Sequence, residues 1–124
     1  MHAMARWTNC FEVEEMTRQA NGFLARVRLN PGHPVYAVHF PGQPVTPGVM
    51  LVKLVHELLE QHLGRPLRLH SIGQCKFLNM LVPNKTPQLL VHVDVAETQG
   101  LIDCKARGEF DGVVFFKLDS VYGD

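Results

Sequence analysis

The chain has 124 residues, 46% of them hydrophobic and 19% charged, which is the size and make-up of one ordinary globular domain, with too little polar bias for a disordered chain. Twelve basic residues balance twelve acidic ones, so no net charge marks a nucleic-acid or membrane-surface partner, and neither is expected. Three cysteines, Cys10, Cys75 and Cys104, lie far apart without a CxxC pair or a histidine at finger-like distance, so a structural zinc site is not expected and reduced thiols in a cytoplasmic protein fit best.

The opening residues, MHAMARWTNC, lack the apolar run of a signal peptide, and no later segment approaches the roughly 18 apolar residues of a membrane helix. Residues 11–18 read as a strand. Phe23, Ala25, Val27 and Leu29 alternate with Leu24, Arg26 and Arg28 as in a half-buried strand, and Ala20-Asn21-Gly22 between the two segments predicts an antiparallel hairpin. Pro31-Gly32-His33-Pro34 breaks the pattern before a short apolar run, Val35 to Val38.

The next stretch, HFPGQPVTPGVM from His39 to Met50, holds three prolines and two glycines in twelve residues, which bars a regular element and predicts a rigid loop. Thr46 is placed to cap a helix, with Pro47 at its first position, and the helix is expected to run from Pro47 to Leu63 and stop at Gly64 and Pro66. Val49, Met50, Leu51, Val52, Leu54, Val55, Leu58, Leu59 and Leu63 cover most of its circumference, so it should be largely enclosed. Lys53, His56, Glu57, Glu60 and Gln61 form one narrow polar stripe, with Glu60 and Gln61 read as its solvated edge. A histidine beside unpaired N–H groups at a helix start is an arrangement suited to a carbonyl substrate.

After the helix only strands are predicted: residues 67–77, Leu89 to Val95 in strict alternation, 101–110, and 113–121. They are separated by turns at Pro83-Asn84-Lys85, Thr98-Gln99-Gly100 and Asp111-Gly112. Two strands before one apolar helix and four after it give an α+β domain over residues 1–124, a long central helix wrapped by a curved antiparallel sheet of about six strands.

The motif HFPGQPVTPGV resembles the signature of the 3-hydroxyacyl-acyl-carrier-protein dehydratases of fatty-acid synthesis, the FabZ- and FabA-like enzymes, which have the hotdog fold. The segment Cys75-Lys76-Phe77-Leu78-Asn79-Met80-Leu81-Val82-Pro83 is similar to a family segment with a basic residue and Phe followed by Val and Pro, although Met80 and Asn84-Lys85 stand where relatives carry Pro and Gly-Asp. The resemblance implies that His39 removes the proton beside the thioester carbonyl, while the backbone N–H groups of Gly48 and Val49 polarise that carbonyl. It also implies that Phe40 and Phe77 line an acyl tunnel. The family's acidic residue, fourteen positions after the histidine, is replaced here by Lys53, which supplies no carboxylate; either Lys53 or Glu57, one turn on along the same helix face, is the catalytic candidate for assisting the departing hydroxyl. Of the other histidines, only His56, beside Glu57, is a site candidate, and His33, His62, His70 and His92 show no metal spacing.

What the resemblance implies is a dehydratase with no metal and no diffusible cofactor, the substrate arriving on the phosphopantetheine arm of acyl carrier protein. Lys76, Arg65 and Arg68 are candidate contacts for that acidic carrier. A homodimer is the minimum assembly expected, with oligomers of dimers open. Two alternatives stand: a carrier-binding or heterodimer subunit that has lost its catalytic acid, and a hotdog thioesterase using Glu57 to activate water.

Overall fold

A computed structural model describes residues 6–8, 10–38, 42 and 44–124, with only the backbone of residues 6–8 and 38. The elements in chain order are β1 (Arg6–Thr8), β2 (Phe11–Gln19), β3 (Gly22–Leu29), α1 (Val35–Val38), α2 (Gly48–Leu63), β4 (Arg68–Phe77), β5 (Gln88–Thr98), β6 (Leu101–Phe110) and β7 (Val113–Gly123). The strands form one antiparallel sheet in the order β1-β2-β3-β5-β6-β7-β4. Six of them are the six expected; β1 is an addition of three residues, too short to show any periodicity.

Alternation does what the pattern predicts. In β3, β5 and β6, Val27, Leu89, Val91 and Ile102 are fully buried, and Phe23 and Val93 nearly so, whereas their neighbours Arg26, Arg28, Asp94, Lys105 and Arg107 are exposed. Leu54, Val55, Leu58 and Leu59 of α2 are 0–1% exposed against this inner face and against Phe116 and Leu118 of β7. Each such side chain contributes about 1.5–3 kcal/mol when buried, so the helix–sheet contact is the core. Enclosure of the helix is less complete than its composition suggests: Val49 is 61% exposed, because it lies at the very start of α2, beyond the edge of the sheet. Among the described residues no helix is long and apolar enough to cross a membrane.

Both later hairpins turn as their sequences predict, with positive φ at Gln99 and Gly100 and at Asp111 and Gly112. The first hairpin forms, but with different residues. Gln19 pairs with Gly22, which leaves Ala20 and Asn21 in the turn, and neither Asn21 nor Gly22 has positive φ. Gly22 is instead the first residue of β3, where a Cβ would lie 1.9 Å from the carbonyl oxygen of Val93. Glycine is required there by the closeness of β5, not by the turn.

The polar stripe of α2 needs a correction. Glu60 is not a solvated edge residue: its carboxylate accepts the Leu67 backbone N–H at 2.7 Å and lies 3.5 Å from His56. His56 donates from Nε2 to the Leu67 carbonyl at 2.8 Å, so the pair holds both backbone polar groups of one residue and pins the chain as it doubles back after Gly64. His56 is thereby a brace for the fold.

Two of the buried ionisable groups, on the inner face of β6 and β7, contribute to the alkaline behaviour. Burial pushes the Cys104 thiol up from 9.0 to about 12, and pushes the Tyr122 phenol up from 10.0 to about 12, while Ser120 hydrogen-bonds within the same cluster and partly offsets both. Both groups are protonated in folded and unfolded chains below pH 9, so they leave stability unaffected there. As pH rises through 9 and 10 the unfolded chain sheds these protons first, and stability falls until about pH 12. Urea unfolding at about pH 8 and about pH 11 should show a loss of order 2 kcal/mol that Cys104→Ala reduces.

Candidate active site

Helix α2 starts with no side-chain cap. Pro47 is the N-cap residue, with extended geometry (φ −63°, ψ 143°) and no side chain able to accept a hydrogen bond. The expected cap, Thr46, lies one residue further out and its hydroxyl is engaged elsewhere: Oγ1 is 2.9 Å from the Tyr36 hydroxyl, both side chains being buried. Pro47 is accordingly not the first helical residue; Gly48 is. Of the first helical amides, that of Met50 donates to the Pro47 carbonyl at 3.0 Å, whereas among the described residues the N–H of Gly48 and that of Val49 have no acceptor. Free first-turn amides carry the positive end of the helix dipole.

Gly48, the first of them, borders a cavity of about 500 Å³ whose walls also include Val45, Thr46, Leu51, Phe77 and Met80. Gly48 and Phe77, separately singled out in the sequence, meet here. A Cβ on Gly48 would sit 2.4 Å from Cζ of the Phe77 ring, so the ring lies directly on the glycine backbone. Phe77 ends β4 on the inner face, opposite Phe116. The opposite wall is held by the Thr46 N–H donating to the Leu81 carbonyl at 2.8 Å, and by the Asn79 side chain donating to the Val114 carbonyl at 2.7 Å. Sequence reasoning missed Leu51, Asn79 and Leu81 as parts of this site, since each reads as ordinary core or turn.

The remaining candidates divide. His39 and Phe40 lie outside the described residues. Val49 is not part of the cavity wall, although its N–H belongs to the same first turn. Lys53 is exposed, whereas Glu57 is half-buried with one carboxylate oxygen shielded from solvent. Neither forms the cavity wall. His56 is committed to the Leu67 carbonyl, and His33 accepts the Val35 N–H at Nδ1 (3.0 Å), capping α1. Arg65 is occupied by Glu97 and Asp124, while Arg68 and Lys76 sit towards opposite ends of the edge strand β4. Among the described residues no group of three His, Cys, Asp or Glu side chains is arranged to hold a metal ion.

The ApeI dehydratase family matches residues 15–110, well over half of the chain. The chain belongs to the ApeI-like dehydratases. Two FabZ 3-hydroxyacyl-[acyl-carrier-protein] dehydratases are similar to it. That of Pelotomaculum thermopropionicum is 28% identical over 87 residues, covering 64% of this chain and 60% of the relative. That of Paramagnetospirillum magneticum is 32% identical over 92 residues, covering 65% and 55%. The chain thus spans rather more than half the length of these relatives. Among solved structures, the dehydratase heterocomplex ApeI:P from Xenorhabdus doucetiae superposes with a TM-score of 0.76 at 22% identity, covering 90% of this chain and 96% of that one. A thioesterase-like phenylacetic acid degradation-related protein from Ralstonia eutropha superposes with a TM-score of 0.58 at 12% identity, covering 82% and 76%. These likenesses establish the hotdog fold that the resemblance of the HFPGQPVTPGV motif implied.

Proposed function

We propose that this ApeI-like chain removes water from a 3-hydroxyacyl thioester carried on acyl carrier protein, leaving a trans-2-enoyl thioester. The observation that carries this reading is the uncapped start of α2, with Gly48 on the wall of an apolar cavity whose volume is within the usual range for a small-molecule site. The thioester carbonyl is placed against the Gly48 and Val49 N–H groups, which stabilise the negative charge that develops on it. His39 takes the proton from the carbon beside the carbonyl. The electron pair of that C–H bond becomes the new C=C bond, the C–O bond at the next carbon breaks, and the hydroxyl leaves as water once protonated. Glu57 is the better candidate for handling that hydroxyl, because a half-shielded carboxylate on the helix can hold or return a proton, whereas Lys53 is exposed.

An acidic carrier has a surface to meet. The strand register sets His92 opposite Arg107, Arg107 opposite Lys117, and Lys117 opposite Lys76, a row of one imidazole and three cationic side chains across four strands on the outer face. His92 and Arg107 share Glu109, but neither Lys117 nor Lys76 has an ion pair among the described residues. Like charges directly opposite one another cost stability, and an acidic partner relieves that cost. The row ends next to Phe77, at the cavity. The free edge of β4, with Ile72 and Phe77 44% and 53% exposed, is the surface on which a second hotdog subunit would continue the sheet. A second copy of this chain is the simplest occupant. A different hotdog mate that supplies the missing carboxylate is the second reading, favoured by Lys53 at the family's acidic position.

The test is steady-state dehydration of a 3-hydroxyacyl carrier protein by the purified chain and two variants. Glu57→Gln should lower turnover by about 10²-fold or more, and Lys53→Ala by no more than a few-fold. The reverse order would move the hydroxyl-handling role to Lys53. Full activity only after a second hotdog chain is added would establish the heterodimer, and release of free acid in place of enoyl product would establish the thioesterase.

A further inference from the structure

Resting on that reading of the site, we propose that Tyr36 and Thr46 are positioning residues: their buried hydroxyl pair latches the entry of α2 and keeps its first amides available to substrate. The two side chains are 5% and 6% exposed and hydrogen-bond to each other at 2.9 Å across ten residues of chain. They flank the motif loop, Tyr36 in α1 before it and Thr46 immediately before Pro47. Helix α1 has only four residues, too few to be stable alone, so side-chain anchors decide where it sits. Thr46 is fixed a second time, through its N–H to the Leu81 carbonyl at 2.8 Å, and therefore ties α1, the helix entry and the cavity wall at one point.

The latch has a chemical consequence besides rigidity. A threonine hydroxyl beside a helix start ordinarily turns onto the first N–H groups and caps them. Tyr36 engages that hydroxyl, the N-cap falls to Pro47, and the Gly48 N–H is left facing the cavity region without a protein acceptor among the described residues. Cys10 also contacts the Tyr36 hydroxyl, and burial pushes the pKa of both groups up, so the hydroxyl pair stays neutral and intact. Without Tyr36 the Thr46 hydroxyl loses its side-chain partner and is freed to turn onto the first helix amides, in competition with the thioester carbonyl.

The experiment compares Tyr36→Phe, Thr46→Val, Thr46→Ser and the Tyr36→Phe/Thr46→Val double variant in two measurements on the full chain. One is kcat and KM for dehydration of a 3-hydroxyacyl carrier protein, normalised to folded protein. The other is hydrogen–deuterium exchange of the backbone over residues 45–50. Tyr36→Phe and Thr46→Val should each lower kcat about tenfold with KM changed less than about threefold, and exchange over residues 45–50 should quicken in both. Thr46→Ser should restore both readouts, and the double variant should be no worse than the poorer single one, as for two halves of one interaction. Quickened exchange with unaltered kcat would overturn the positioning role, and so would lowered kcat with unaltered exchange. If the parent chain itself forms no enoyl product, the dehydratase reading fails, and exchange alone decides whether the latch holds the helix entry.

Discussion

Gly22→Ala is expected to destabilise the chain by about 3 kcal/mol or more, a large part of the roughly 5–15 kcal/mol that holds a domain of this size together. The added Cβ would stand 1.9 Å from the Val93 carbonyl oxygen, 2.9 Å from its carbon and 3.1 Å from the Asp94 Cα, all of them backbone atoms of a paired strand. None can swing aside as a side chain would. Val93 is 1% exposed and its flank is fixed by the Val95 N–H donating to the Asn21 carbonyl at 2.7 Å, so relief requires β3 and β5 to separate where they share the core. Gly73→Ala is the control, since its nearest neighbour would be 3.9 Å away. Equilibrium urea unfolding should show a much lower midpoint for the first variant and a nearly unchanged one for the second.

Gly48→Ala should have the opposite profile: a fold within about 1 kcal/mol of the parent and turnover lowered about 10²-fold. Its Cβ would meet only the far end of the Phe77 ring, at 2.4, 2.6 and 3.0 Å, and that ring is 53% exposed at the end of an edge strand. The ring can therefore move, and alanine is the better helix former, which offsets the strain. What changes is the cavity, because Phe77 can no longer lie against the helix start and a methyl group occupies the space in which the thioester carbonyl is proposed to sit. Thermal unfolding beside steady-state kinetics separates the two effects; a variant that keeps full turnover would place the carbonyl elsewhere.

The contrast between these glycines shows what was legible in the chain and what was not. Elements with a local cause could be read: alternation in β3 and β5, the Gln99-Gly100 and Asp111-Gly112 turns that bound β6 and β7, and the helix stop at Gly64, which has φ 73° and donates its N–H to the Glu60 carbonyl at 2.8 Å. Features caused by distant residues could not. Asn21-Gly22 looks like a turn pair, but Gly22 is required by a carbonyl seventy-one residues later. Thr46 looks like a cap, but its hydroxyl belongs to Tyr36. Glu60 looks like an edge residue and His56 like a site candidate until the chain folds back and offers them the backbone N–H and carbonyl of Leu67.

At the site, Gly48 and Phe77 could each be named from the motif and from the later segment that resembles the family, but their direct contact is a product of sheet register. It is the pairing of Phe77 with Phe116 that brings the end of β4 over the helix. The same limit applies to the second catalytic group: helix periodicity puts Lys53 and Glu57 on one face, and only burial separates an exposed lysine from a half-shielded carboxylate.

The most direct test of the central claim is mass spectrometry of a 3-hydroxyacyl carrier protein after incubation with the purified chain, beside the same incubation with His39→Ala. The account predicts loss of one water from the carrier-bound acyl group with the parent chain and none above background with the variant. Equal water loss in both would contradict His39 as the base. No water loss by folded parent protein, across several acyl lengths, would contradict the claim that this chain is by itself a dehydratase.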